Sequence, residues 1–242
     1  MICFSLVILA GSAVANILIT RFKLSLSINN YAQSFGISIL LSLVTFIINL
    51  IFEIVLPYMC LLEKNHTKTS YNFSISSKLS FAIFLNSAII PLVEYDRNAY
   101  FSNSGLIITL WLNWILLAVV NPLKELINLK YIFNEILIYF AKNKGKQSLL
   151  TQKEANKLFE GPEPYIPDKY SSISSLMFYT AFYISFIPLG VILSLIGFTL
   201  YFIVDKYVML RRYRKPENIS HHITIYSIQY IGHGCLILFV VL

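Results

Sequence analysis

Six apolar runs set the terms for this chain: Ile2–Thr20, Ser34–Leu56, Leu79–Val93, Leu106–Val120, Ser172–Val204 and Ile223–Leu242. A membrane-crossing helix needs about 20 mostly apolar residues, and polar stretches separate these runs. Only 13% of the 242 residues are charged, 57% are hydrophobic and the mean hydropathy is +0.68. Soluble domains carry about 25% charged residues, so the composition places the chain in the membrane class. The fold class expected is all-α, a polytopic transmembrane helix bundle.

The fifth run is too long for one crossing. Its 33 residues would make a helix of about 50 Å, and Pro188, Leu189 and Gly190 break it near the middle. Two helices joined by a tight turn, a hairpin over 172–210, bring the expected count to about seven spans. The basic residues agree. With the hairpin, loops 63–78, 122–171 and 205–222 share one side and hold 16 lysines and arginines. The other side holds three: Arg21, Lys23 and Arg97. Such a bias assigns the basic loops to the cytoplasm. Arg211, Arg212, Arg214 and Lys215 then form a cytoplasmic basic group facing anionic lipid. No basic stretch precedes the first run, so a secretory signal is not expected. The chain starts and ends within apolar runs, and residues 1–242 read as one transmembrane pore-type domain cut from a longer protein.

Motifs of soluble enzymes are absent, so no catalytic residue and no cofactor is expected. Cys3, Cys60 and Cys235 lie far apart and read as small helix residues. His221 and His222 read as a solvated pair. The longest polar stretch, 142–171, reads as a cytoplasmic loop with one short helix, opened by a capping box from Thr151 to Glu154. Before it, Leu123–Ala141 looks like an amphipathic continuation of the fourth run, bent at Pro122.

Polar residues inside the runs carry the functional signal. Ser38, Ser42, Thr45, Asn49 and Glu53 recur at spacings of 4, 3, 4 and 4, one face of a helix. Two readings fit. Small polar residues bond helix to helix, and intramembrane carboxylates line aqueous paths. Asn86 stands alone in the third run. Thr109, Asn113 and Asn121 share a face of the fourth, with Glu125 one turn later. Together these residues are candidates to line one conduit. Trp111 and Trp114 read as packing or interface anchors.

Two segments resemble a known superfamily. The loop and helix carrying Glu63, His66, Thr67, Thr69, Tyr71, Lys78, Phe84 and Asn86 resemble the corresponding segment of anoctamins. The stretch FIPLGVILSLIGFTLYFIVDKYVMLRRYRKP, Phe186 to Pro216, resembles the anoctamin hairpin, with Asp205 following Pro188 by 17 residues. It also looks like OSCA-type osmosensitive channels and transmembrane-channel-like proteins. The resemblance implies a pore or lipid groove walled by the second to fifth runs. It implies a calcium site too, but here the chain departs from the pattern. Asp205 is in register and Glu125 is loosely so, while Tyr201, Lys169 and Ser172 stand where acids belong. Calcium takes about 6–8 oxygens, so Asp205 and Glu125 would form at most a degenerate site.

The function expected is a cation-permeable channel pore gated by tension or osmotic stress, with Glu53 supplying selectivity. A phospholipid scramblase and a non-conducting structural subunit are the alternatives. The expected partners are the lipid bilayer, inorganic cations and a second copy of the chain, with no nucleic acid. One prediction follows from the charge bias. The sequons at Asn65, Asn72 and Asn218 all lie on the cytoplasmic side. Glycosidase treatment of the chain expressed in eukaryotic cells is therefore expected to leave its gel mobility unchanged.

Overall fold

Long apolar stretches bury their backbone polar groups most simply as helices, because each segment then satisfies its own N–H and C=O groups. The computed structural model describes Gly11, Val14 and residues 31–94, 105–127, 129–144, 151–214 and 221–241, and no strand occurs among them. The first run lies outside these residues apart from Gly11 and Val14. Helix α1 is Tyr31–Leu61. Helix α2, Lys68–Phe84, runs through a wide π-type turn at Leu85–Ile89 into α3, Ile90–Glu94. Helix α4, Leu106–Ile115, passes through a second such turn at Leu116–Val120 into α5, Asn121–Leu126. Then follow α6 (Leu129–Lys144), α7 (Gln152–Phe159), α8 (Ile166–Tyr183), α9 (Gly190–Arg211) and α10 (His222–Val241). Among the described residues four helical stretches are long and apolar enough to cross a membrane: Phe35–Leu61, Lys68–Val93, Leu106–Asn143 and Gly190–Arg211.

Helix α8 is the hub. It packs on α2, α9 and α10, while α1 lies on α2 and α4, and α9 lies on the second wide turn and α5. Ser171, Ser172, Ser174 and Ser175 are buried on α8 and let its neighbours approach closely. The core joins Phe178, Tyr179, Phe182 and Tyr183 of α8 to Phe84 of α2 and Trp114 of α4. Trp114 is buried, packs edge-on against Tyr179 at 5.2 Å and donates its indole N–H to Ser194 Oγ at 2.8 Å.

The fifth run divides as expected, into α8 and α9 around Pro188. Several boundaries differ from the sequence reading. Helix α2 starts at Lys68 because Thr67 caps it, its hydroxyl accepting from Ser70 N at 3.1 Å. The loop before it therefore spans only 62–67. It is latched from α2, where Lys78 pairs with Glu63 and Ser74 Oγ donates to Glu63 Oε2 at 3.0 Å. Helix α8 starts six residues before the apolar run, at Ile166, with Pro167 in its first turn. The capping box at Thr151 and Glu154 is present. The stretch expected to continue the fourth run has a turn at Ile127 after α5, and Ile132, Phe133, Ile136, Tyr139 and Phe140 of α6 are exposed.

Two predictions follow. A Cβ on Gly190 would lie 1.9 Å from the Trp114 ring. Overpacking of this kind costs about 1–3 kcal/mol, and Gly190→Ala is expected to lower the thermal unfolding temperature in detergent. The hydrogen bond from Lys78 holds the Glu63 carboxyl below its usual range. A depressed carboxylate stabilises the fold above its unfolded pKa and loses that contribution as pH falls through the folded value. Acid unfolding of Glu63→Gln is expected to show a shallower pH dependence than wild type.

Candidate functional site

The polar stripe of α1 is turned inward. Ser38, Ser42, Thr45 and Asn49 are buried, whereas Leu40, Leu43, Ile47, Ile51, Ile54, Tyr58 and Leu61 on the other side are exposed. Ser42 and Thr45 each donate a hydroxyl to their own helix at 3.1 Å, to Ser38 O and Leu41 O. From Asn49 onward the bonds cross between helices. Asn86 Nδ2 donates to Asn49 Oδ1 at 2.7 Å and to Thr45 O at 3.3 Å. Asn49 Nδ2 donates to Ser87 Oγ at 3.1 Å, and Asn113 Nδ2 donates to Ser87 O at 3.2 Å. Three runs that each looked polar in isolation thus meet at one point, and Asn86, fully buried, is its centre. Asn113 Oδ1 is buried and accepts no hydrogen bond from the described residues. Thr109 is buried one turn before it, donating to Gly105 O at 3.4 Å, and Asn121 is buried at the start of α5.

The wide turns explain why an asparagine is useful here. A π-type turn shifts the hydrogen-bond ladder and frees carbonyls. Tyr183 Oη donates to Ala88 O at 2.7 Å within the first turn, and Tyr201 Oη donates to Leu117 O at 3.0 Å within the second. Tyr179 Oη does the same for Leu110 O at 3.0 Å. Tyrosines of α8 and α9 thereby close the backbone of the helices that carry Asn86 and Asn113.

The charged residues gather one turn further along α1, at Glu53. Lys124 Nζ donates to both carboxylate oxygens of Glu53 at 2.6 Å. Lys169 pairs with Glu125 and with Asp205, so one ammonium ties α8 to α5 and α9. Asp205 and Glu125 therefore do come together, but around a lysine. Among the described residues no group of three or more acidic, histidine or cysteine side chains is placed to hold a metal ion. His221 and His222 stack on each other at 4.4 Å. Of the basic group, Arg211 is exposed at the end of α9. Arg212 donates to Leu126 O and lies over the Tyr131 and Tyr207 rings at 4.9 and 5.4 Å. Arg214 pairs with Glu160 and Glu163, and Lys215 lies outside the described residues.

A cavity of about 1050 Å³ opens beside these pairs. Its polar lining is Glu53, Lys124, Glu125, Asp168 and Lys169, with Tyr58, Tyr71, Tyr165 and Tyr213, and its apolar rim includes Ile54, Leu61, Leu123 and Ile127. Sequence reasoning missed the role of Lys124 and Lys169, counted among the lysines of loop 122–171, and did not single out Asp168. Asp168 and Lys169 sit just inside α8, between Pro167 and the serine-rich stretch, and that start was the available signal.

The bridging ammonium gives a direct test. Lys169 is 8% exposed. Removing one partner of a buried pair costs about 3–5 kcal/mol, so Lys169→Met is expected to destabilise the chain in thermal melts. With two carboxylates left facing each other, added calcium is expected to restore part of the loss, and wild type is expected to gain nothing. No family model, no characterised protein and no solved structure matches this chain.

Proposed function

We propose that the chain is the pore region of a cation-permeable membrane channel of the anoctamin, OSCA and transmembrane-channel-like type, opened by membrane tension. The polar cavity is its cytoplasmic vestibule. The observation that carries this reading is the charge of the vestibule. Glu53, Glu125 and Asp168 line it with only Lys124 and Lys169 against them, and Asp205 adds a further carboxylate on Lys169. Clefts with one dominant sign raise the local concentration of the opposite ion. The exposed apolar face of α1, opposite its buried polar face, supports a bilayer setting, and the seven spans read from the sequence are part of the proposal.

In this reading the asparagine cluster is the closed part of the path. Opening separates α1 from α2 and α4, exposing Asn49, Asn86, Ser87 and Asn113 to water, which then takes over their hydrogen bonds. The same residues serve as helix glue when the path is shut. No ligand is needed for this transition, and the Lys169 ammonium occupies the space between Glu125 and Asp205.

A second reading, phospholipid scrambling, is favoured by the apolar rim, where Ile54, Leu61 and Ile127 are 60% exposed or more beside charged groups. The two separate on Glu53. In a channel, Glu53→Gln removes one vestibule charge and frees Lys124, so cation-over-anion selectivity is expected to fall. In a scramblase, lipid transfer is expected to change less. The parent protein in excised patches, with calcium chelated and pressure stepped, is expected to pass cation current. Silence under tension, or selectivity unchanged in Glu53→Gln, overturns the channel reading.

A further inference from the structure

An asparagine amide carries both donors and an acceptor, and the cluster between α1, the first wide turn and α4 uses them unequally. Its amide hydrogens are directed at Asn49 Oδ1, Thr45 O, Ser87 Oγ and Ser87 O. None reaches Asn113 Oδ1, which is buried without a donor among the described residues, on a side chain only 2% exposed. Asn113 Nδ2 lies 3.2 Å from Ser87 O. Oδ1 shares its amide plane, so this oxygen stands within a few ångströms of the turn Leu85–Ile89. Asn49 is near the middle of the Phe35–Leu61 span, where bulk water is remote. A native group left in this state calls for a water or an ion.

The neighbouring atoms decide between the two. Asn49 Oδ1 and Ser87 Oγ each accept one hydrogen bond and keep a second lone pair. The wide turn shifts the backbone ladder, with Ile90 N–H reaching back to Leu85 O, and carbonyls of such a turn are less tied to their own helix. The surplus in the cluster is therefore of acceptors. A water would bring a further acceptor of its own, whereas a cation brings none. Neutral oxygens beside an interrupted helix are what membrane proteins use to replace the hydration shell of an alkali ion. A divalent ion asks for carboxylates, and the cluster has none. Glu53, one turn on from Asn49, is held by Lys124.

We propose that the asparagine cluster binds one dehydrated alkali cation, sodium or potassium, on Asn113 Oδ1 together with Ser87 Oγ and Asn49 Oδ1. The ion ties α1, the first wide turn and α4 together in the shut bundle. The inference goes beyond the channel reading and does not need conduction, since a chain that passes no current can still hold the ion.

Thermal melts of the full chain in detergent, followed by circular dichroism, provide the test. Choline chloride is replaced stepwise by sodium chloride, and in a second series by potassium chloride, at constant ionic strength. The wild type is expected to gain on the order of 3–5 °C, saturably, once the favoured ion exceeds its Kd about ten-fold. Asn113→Leu removes the oxygen at similar volume and is expected to melt at one temperature in all three salts. Asn113→Asp keeps the oxygen and adds a charge, so its half-saturating concentration is expected to fall on the order of ten-fold. If Asn113→Leu fails to fold, Asn113→Asp decides, and an unchanged half-saturation there overturns the proposal. A wild type indifferent to both ions marks a water site only, and an alkali response that survives in folded Asn113→Leu places the ion elsewhere. Either result overturns the proposal. Calcium stabilising the wild type more than sodium or potassium overturns the monovalent assignment. Current is not read, so silence under tension removes the channel reading and leaves this one standing.

Discussion

A carbonyl freed inside a bilayer finds no water, and this fold is arranged around carbonyls that two wide helical turns set free. Each unsatisfied group there costs several kcal/mol by general estimates, about the size of a whole domain's stability. Tyr183 and Tyr201 meet that demand at Ala88 and Leu117, and Asn113 meets it at Ser87. Their rings and amides therefore cannot be placed freely. Tyr179, Tyr183 and Tyr201 fix how α8 and α9 lie on α2 and α4, and the aromatic core fills in behind them. Gly190 pressed against Trp114 and Gly197 against Ala118 are consequences of that approach.

The ionic cluster plays a comparable part at the other level of the bundle. Glu53, Lys124, Glu125, Lys169 and Asp205 come from four helices, and none of these charges faces lipid without a partner. Lys169 has two carboxylates and Lys124 has both oxygens of one, which is how such groups are tolerated at this depth. Asp168 joins the cluster through its charge on Lys124, and the cavity opens beside it.

Much of the secondary structure was legible in the sequence. The stripe at 38, 42, 45, 49 and 53 follows the helical period, Pro188-Leu189-Gly190 breaks the long run, and Thr151 with Glu154 caps α7. These signals are local. The site was legible only as a set of positions. Asn49 meets Ser87 across 38 residues and Lys124 meets Glu53 across 71, distances over which spacing carries no information. The wide turns left no mark in composition, since Leu85–Ile89 and Leu116–Val120 read as ordinary apolar helix. Lys169 was misplaced because a lysine beside an aspartate reads as loop, while in space its partners sit on other helices.

Helix α1 touches α2 and α4 along its polar face, and at its inner end Glu53 to Lys124 is an ion pair joining it to α5. Its exposed apolar face runs from Leu40 to Leu61, about 32 Å of helical rise, close to the roughly 30 Å of a bilayer's hydrocarbon core. Thickness mismatch is relieved by helix tilt at a modest cost per ångström. On the channel reading proposed above, thinning the bilayer loads α1 as a lever held by the Asn49–Asn86 and Asn49–Ser87 hydrogen bonds and by the Glu53–Lys124 pair.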